Sequence, residues 1–166
     1  MQIRDAVDAD FGRILVLNEA EVAQTSPMDR SRLIELDRLA AVHWVAQLDG
    51  RAVAFLLAMR EGAAYDSENY RWFAARYPRF LYVDRIVVDA AHAGQGIGAQ
   101  LYRQLFDHAR ANGIAQIACE YNLEPPNPGS RAFHARFGFA EVGRQQVAGG
   151  SKTVSLQLAE VPLQAG

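Results

Sequence analysis

The apolar positions change period several times along the chain. Residues 2–7 read as a short strand, and Asp8 stands where a helix N-cap belongs. Phe11, Ile14, Leu15, Asn18 and Val22 then recur at helical spacing and predict a helix with one mainly apolar face. A break at Thr25-Ser26-Pro27 precedes a second short helix carrying Leu33, Leu36 and Leu39. From Val42 the period drops to two, with Val42, Trp44, Ala46 and Leu48 alternating against His43, Val45, Gln47 and Asp49. Asp49-Gly50 is a two-residue hairpin signal, because both turn positions favour positive φ. Ala52–Arg60 is the return strand, apolar enough for the middle of a sheet. Residues 61–78 show no regular period and read as an irregular insert. Seven aromatics fall between Tyr65 and Tyr82, with Arg71 and Arg76 among them.

Leu81–Asp89 predicts another strand, followed by a glycine-rich turn at Gly94–Gly98. A helix then runs to about Asn112, with Ile97, Leu101, Leu105 and Ala109 on one face and Gly113 as its stop. Ile114–Tyr121 is a strand, and Pro125-Pro126 breaks the chain. Asn127 and Pro128 make the favoured N-cap and first-turn pair of a short helix ending at Phe137-Gly138. Phe139–Val147 and Thr153–Leu158 close as a hairpin across Ala148-Gly149-Gly150. Strands alternate with helices only in the middle of this order, with hairpins on either side. That predicts a mixed α/β sheet, not a purely parallel one.

The chain has 166 residues, which predicts a single domain over 1–166 with a core needing no metal or disulfide. A net charge of −2 excludes a general nucleic-acid binder, which carries a basic excess. Cys119 is the sole cysteine, so an intrachain disulfide and a cysteine-based zinc site are excluded. His43, His92, His108 and His134 show no ligand spacing, and no metal is expected. Asp5, Asp8 and Asp10 precede any apolar run, unlike a signal peptide, and no apolar run reaches about 18 residues. The expected location is cytoplasmic, with no membrane partner.

His92-Ala93-Gly94-Gln95-Gly96-Ile97-Gly98 joins a strand to a helix. Alternating glycines bring backbone N–H groups to a ligand without a Cβ in the way. The helix that follows aims free N–H groups and its positive dipole end at the turn, which favours phosphate. No Lys-Ser/Thr follows, so the turn is not a nucleotide P-loop. Gly94, Gly96 and Ala99 do fit Gly-x-Gly-x-x-Ala, with Glu120 where an acidic ribose ligand could fall, which keeps a dinucleotide-binding protein as an alternative. Against it stand the residues 89–93 between strand and first glycine, and the motif's place past the middle of the chain.

These residues resemble the GNAT superfamily of N-acetyltransferases, over nearly the whole chain and most closely from Leu81 to Val147. The family's Arg/Gln-x-x-Gly-x-Gly/Ala is matched by Ala93-Gly94-Gln95-Gly96-Ile97-Gly98, with Ala93 departing from the pattern. Its second signature is matched at Asn127, Ser130, Phe133, Gly138 and Phe139, with His134 in place of the family tyrosine. Tyr65–Phe73 and residues 122–128 resemble a bacterial branch. The resemblance implies a mixed, mostly antiparallel sheet of about seven strands with a splayed central parallel pair, flanked by about four helices. It implies acetyl-CoA as cosubstrate. The pantetheine arm would pair near Ile86, Val87 and Val88, and the pyrophosphate would sit on Gly94, Gln95, Gly96, Ile97, Gly98 and Ala99. Asn127, Ser130 and Phe133 would line the arm's other side.

The implied reaction is direct attack by a primary amine of a small molecule or peptide on the acetyl thioester. The tetrahedral oxyanion needs a donor, and the backbone N–H of Ile86 is the candidate. Asp84 and Glu120 are candidate bases, each with a structural ion pair as the alternative. His134, in the tyrosine's place, is the candidate acid for the leaving thiolate. Tyr121 and Asn122 could hold a water, and Arg71 and Trp72 could form an acceptor pocket in which Arg71 grips a carboxylate. Cys119, on a strand, reads as inert core. A non-catalytic acyl-CoA-binding module is the second alternative, because Ala93 and His134 both depart from the family. A homodimer is a further partner that the reading leaves open.

Overall fold

The computed structural model describes residues 1–124 and 126–162. Pro125, half of the expected chain break, and residues 163–166 at the end of the expected domain lie outside the described residues. The strands are β1 (Gln2–Asp5), β2 (Val42–Leu48), β3 (Arg51–Arg60), β4 (Leu81–Val88), β5 (Gln116–Glu124), β6 (Ala140–Val147) and β7 (Lys152–Glu160). The helices are α1 (Phe11–Ala20), α2 (Arg30–Leu39), α3 (Glu68–Ala74), α4 (Ile97–Ala111) and α5 (Pro128–Arg136). The strands form one sheet in the order β1-β2-β3-β4-β5-β7-β6. β1 with β2, β2 with β3, β5 with β7 and β6 with β7 pair antiparallel, and β4 with β5 pairs parallel. The mixed, mostly antiparallel sheet expected from the sequence is the one that forms, with five α-helices among the described residues where about four were expected.

The chain clusters into two units, Met1–Arg60 with Val83–Asp107 and Glu61–Tyr82 with His108–Gly166. In the first, the β2–β3 hairpin turns on Asp49 at φ 50° and Gly50 at φ 77°, as that dipeptide predicts. The two-residue alternation read for β2 does not separate a wet face from a dry one. Val42, His43, Trp44, Val45 and Ala46 are all buried, so both faces of this strand are covered. Leu33 and Leu36 of α2 are fully buried, each contributing roughly 1.5–3 kcal/mol, while Leu39 is half-buried. On α1 the buried stripe is Phe11, Ile14, Leu17 and Asn18. Leu15 is only half-buried, and Val22 lies beyond the helix end. The entry to α1 also differs from expectation. A 3-10 turn spans Asp8–Asp10, and Asp10, not Asp8, takes the Val7 N–H on its carboxylate at 2.8 Å. Arg4 binds the same carboxylate at 2.8 and 2.9 Å, which holds the Asp10 carboxyl below its ordinary range.

In the second unit, residues 61–78 are not wholly irregular. Ser67 caps α3 by accepting the Tyr70 N–H at 3.3 Å. Tyr70 and Phe73, three apart, turn inward from this helix and pack on Phe80 and Tyr82. The aromatic cluster is therefore partly core. Trp72 lies over Gly143 of β6, so closely that a Cβ at Gly143 would overlap the Trp72 ring. Gly143→Val is expected to displace that ring and cost about 1–3 kcal/mol in urea unfolding. An unchanged unfolding midpoint would show that Trp72 does not depend on this seat. At the other end of the unit, Asn127 caps α5 by accepting the Ser130 N–H at 3.2 Å, with Pro128 in the first turn, as the sequence predicts. Gly113 and Gly138 end α4 and α5 with φ of 67° and 82°.

Candidate functional site

The first unit carries the glycine turn. β4 ends at Val88, and Asp89 fixes the exit: its N–H donates to the Val53 carbonyl at 2.8 Å, and its carboxylate takes Arg13 Nη2 at 2.7 Å. Arg13 Nε also donates to the Ala52 carbonyl at 3.0 Å, so one arginine ties this exit to β3. A 3-10 turn over Ala90–His92 fills the stretch that separated strand from glycines in the sequence. The Asp89 carboxyl is held below its ordinary range, first by the Ala91 N–H and then by Arg13.

Gly94 and Gly96 adopt φ of 78° and 77°, in the region that side chains disfavour. Both are exposed, and a Cβ built on either meets no heavy atom of the described residues within 4 Å. The space over the turn is open, and the 15-residue α4 begins immediately at Ile97. Gln95 is exposed beside them, Gly98 and Ala99 are half-exposed in the first helical turn, and Ile97 is buried in the core. This is the arrangement an anion such as a pyrophosphate needs: backbone N–H groups at a helix start, with no side chain in the way. The turn fits the cosubstrate that the sequence implies.

Ile86 and Val88 are half-buried on β4, and Val87 between them is buried. Asp84 is engaged elsewhere. Its carboxylate takes Arg85 Nε at 2.7 Å, and the two side chains are 5% and 6% exposed. Arg85 Nη1 also donates to Asn18 Oδ1 at 3.0 Å and to the Ser26 carbonyl at 3.1 Å. Asp84 is thus the carboxylate of a buried ion pair that pins the segment after α1. Neither Asn18 nor Ser26 was singled out for this, since nothing in the spacing links residue 18 to residue 85.

The second unit carries the other candidates, and strand geometry sorts them. The β4–β5 register pairs Leu81 with Ile117 and Tyr82 with Ala118. Side chains alternate along β5, so Glu120 and Asn122 share one face and Cys119, Tyr121 and Leu123 the other. On the first face the Tyr82 hydroxyl lies 2.8 Å from each Glu120 oxygen. Tyr82 is 1% exposed, and its ring sits edge-on to Tyr70. A buried phenol thus fixes the Glu120 carboxylate. Sequence reasoning missed Tyr82, because the pair exists only through the strand register. Asn122 is buried, Arg71 is exposed on α3, and Trp72 is half-buried under the Arg76 guanidinium at 4.0 Å. Tyr121 and Asn122, expected to share a water, point to opposite faces.

On the second face lies His134 of α5, 5% exposed, with Tyr121, Phe133 and Phe139 rings 5.3–6.1 Å from its own. Its Nδ1 is 2.7 Å from the Ser130 carbonyl oxygen. A carbonyl only accepts, so Nδ1 carries the hydrogen, and in the neutral ring Nε2 is an acceptor. Burial pushes the imidazole below its ordinary value, partly opposed by the bond to Ser130. A depressed folded-state value means that the unfolded chain binds the proton more readily. Stability from this residue is therefore full above the unfolded value, about pH 6.5, and is lost as pH falls through it toward the folded one. His134→Gln is expected to flatten the loss of stability between pH 7.5 and 5, read by urea unfolding. An unaltered slope would mean that His134 is not buried neutral. Asn127 and Ser130 serve the helix start, while Phe133 and Phe137 pair edge-on at 5.3 Å along the flank of α5. Cys119 is 3% exposed. Among the described residues no group of three or more His, Cys, Asp or Glu could hold a metal, and no helix is long and apolar enough to cross a membrane.

Comparison with known proteins meets this geometry. The model of the acetyltransferase (GNAT) family matches residues 5–139, crossing both units. Glucosamine 6-phosphate N-acetyltransferase 1 of Oryza sativa subsp. japonica is 32% identical over 139 residues, 82% of this chain and 78% of the relative. The L-methionine sulfoximine/L-methionine sulfone acetyltransferase of Salmonella typhimurium is 27% identical over 84% of this chain and 80% of its own. Among solved structures, Ard1 of Thermoplasma volcanium superposes with a TM-score of 0.79 at 14% identity, over 97% of each chain. YncA of Salmonella typhimurium, solved with acetyl-CoA, gives 0.73 at 19% identity over 100% of this chain and 96% of its own. The single parallel strand pair and the family match together remove the dinucleotide-binding reading. The chain belongs to the GNAT family, the acetyl-CoA-dependent acetyltransferases.

Proposed function

We propose that this enzyme acetylates the primary amine of a small, acid-bearing molecule, with Glu120 as the base and both units acting as one acetyltransferase domain. The observation that carries the choice of base is the contrast between the two carboxylates. Asp84 is buried in an ion pair with Arg85, its side chain 5% exposed, whereas Glu120 is oriented by the Tyr82 hydroxyl and remains partly exposed. The buried Asp84 carboxylate is covered by Arg85 and offers an acceptor amine little access. A partly exposed carboxylate oriented by Tyr82 can take the ammonium proton of the acceptor, directly or through water.

The remaining roles follow from each unit's own chemistry. The turn at Gly94–Ala99 binds the pyrophosphate of acetyl-CoA, and backbone at Ile86–Val88 takes the pantetheine arm. The Ile86 N–H donates to the oxyanion as the amine nitrogen bonds to the acetyl carbon. The C–S bond then breaks, and the thiolate leaves with the electron pair. Burial favours the uncharged His134 ring, and its Nδ1–H is held by the Ser130 carbonyl, which supports a packing and accepting role over that of acid for the thiolate. A coenzyme A thiol, pKa near that of ordinary thiols at about 8.5, leaves without an obligatory acid. kcat for His134→Gln is expected to track wild type across pH 6–9, with one acid limb. A wild-type bell whose alkaline limb vanishes in the variant would restore the general acid.

Arg71 points to the acceptor's acid group. Its guanidinium is exposed on α3 and has no hydrogen bond or ion pair among the described residues. The curated relatives are named for glucosamine 6-phosphate and for methionine sulfoximine and sulfone, which supports a small-molecule acceptor over a peptide. Arg71→Met is expected to raise the acceptor KM about tenfold with the acetyl-CoA KM unchanged, from loss of one charge-assisted contact. An unmoved acceptor KM across a panel of amino acids, amino-sugar phosphates and uncharged amines would remove Arg71 from the acceptor site. Thermal shift with acetyl-CoA, coenzyme A and NADP+ tests the cosubstrate: stabilisation by the first two alone is expected, and stabilisation by NADP+ alone would overturn it.

A further inference from the structure

The face of β5, β7 and β6 beneath α5 holds a cavity of about 350 Å³ that no step of acetyl transfer uses. Its polar wall is Arg131, Glu141, Arg144, Gln157 and Tyr121. Three of its features are built rather than incidental. Gln157 is 3% exposed and donates to the wholly buried Ser155 hydroxyl at 2.6 Å. Ser155 donates in turn to Glu141 Oε2 at 2.6 Å, and Arg144 Nε donates to Glu141 Oε1 at 2.9 Å. This chain fixes Glu141 as an anion, with its carboxyl held below the ordinary range first by Ser155 and then by Arg144.

The wall's charges do not cancel. Two guanidinium groups face one carboxylate, leaving one positive charge. Arg144 spends only Nε on Glu141, and among the described residues nothing accepts from its two Nη groups or from Arg131. Among the described residues nothing donates to Gln157 Oε1 either. The rest of the lining, Leu123, Ala135 and Phe139 among it, is apolar. Unspent guanidinium donors, one net positive charge and an apolar floor together match one organic acid: a carboxylate for the forks and a short hydrocarbon body for the floor.

The cavity is separate from the flank of α5 read as facing acetyl-CoA. At about 100° per residue, Arg131 and Ala135 fall on one flank, and Ser130, Phe133 and Phe137 on the other. His134 lies between them, against Tyr121 and Phe139. Those two rings are also walls of the cavity. We propose that this cavity binds a small organic carboxylate at a second site, in which Arg131 and Arg144 hold the carboxylate and Gln157 and Tyr121 meet a polar substituent. Because the site shares two aromatic walls with His134, its occupant alters the surroundings of that ring.

The test is calorimetric titration of the full chain, saturated with acetyl-CoA, against benzoate, 3-phenylpropionate and inorganic phosphate. At least one carboxylate is expected to bind. Arg131→Gln and Arg144→Gln, both exposed positions, are each expected to weaken it about tenfold or more while leaving the acetyl-CoA Kd unchanged. Ala135→Trp, which fills the cavity from the exposed side of α5, is expected to abolish binding. A carboxylate is also expected to perturb the His134 ring resonances in a heteronuclear NMR titration. No carboxylate binding to the acetyl-CoA complex, binding that survives both arginine variants, or tighter binding of phosphate than of either carboxylate would overturn the assignment.

Discussion

Glu120→Gln is expected to lower kcat by about 10²–10⁴-fold at neutral pH, the usual range for loss of a positioned base. The substitution keeps the side chain's shape and lets the Tyr82 hydroxyl donate to the amide oxygen, so the fold is retained. The deficit is expected to shrink as pH rises, because free amine then accumulates in solution and the base has less to do. Asp84→Asn serves as the contrast. It leaves Arg85 buried without its carboxylate, so it is expected to destabilise the protein by roughly 3–5 kcal/mol without a comparable loss of kcat in the folded fraction. Tyr82→Phe separates positioning from charge. Removing a donor to a carboxylate disfavours its ionised form, so the acid limb of kcat/KM is expected to move to higher pH while the acetyl-CoA KM stays constant. Equal rates for wild type and Glu120→Gln over pH 6–9 would return proton removal to bulk water.

Gly96→Val is expected to weaken acetyl-CoA binding by at least about 100-fold, the second large effect. Two physical terms combine. A β-branched residue at φ 77° is strained by roughly 1–2 kcal/mol or must leave that conformation. Its side chain also fills the space in which the glycine lets a pyrophosphate approach the N–H groups at the start of α4. Among the described residues nothing contacts a Cβ there, so the side chain itself costs the free enzyme no packing. The loss should therefore fall on binding, with the unfolding midpoint lowered only by the strain. Calorimetry that finds wild-type affinity in Gly96→Val would detach the turn from the cosubstrate.

The sequence carried those parts of the fold that rest on local chemistry. Asp49-Gly50 specified its own turn, Asn127-Pro128 its own helix start, and the Ile97–Ala109 stripe a helix long enough for its period to be read. The helix α3 escaped because seven residues offer only Tyr70 and Phe73 as an inward pair, too few to establish a period among so many aromatics. Leu17 was passed over for Leu15 because either fits a 3.6-residue repeat, and only packing decides which flank turns inward. The glycine turn was legible since positive φ and helix entry leave their mark in residue type. The chemistry of the carboxylates was not. Asp84 and Arg85 are neighbours in sequence, but their burial with Asn18 and the Ser26 carbonyl is a tertiary event. Glu120 gained its partner from the β4–β5 register, which no local pattern encodes. His134 was visible as a departure from a motif, but its tautomer is set by a carbonyl four residues back that the helix itself supplies.

Under the proposed function, Glu120 takes the proton of a small acid-bearing amine as acetyl leaves acetyl-CoA. The most direct measurement is release of the coenzyme A thiol, followed with a thiol-reactive chromophore, across amino acids, amino-sugar phosphates and uncharged amines, for wild type and Glu120→Gln. Amine-dependent thiol release is expected to be fastest with an acid-bearing amine and to fall about 100-fold or more in the variant at pH 7. Thiol release that is independent of every amine, or that is undiminished in Glu120→Gln, would contradict it.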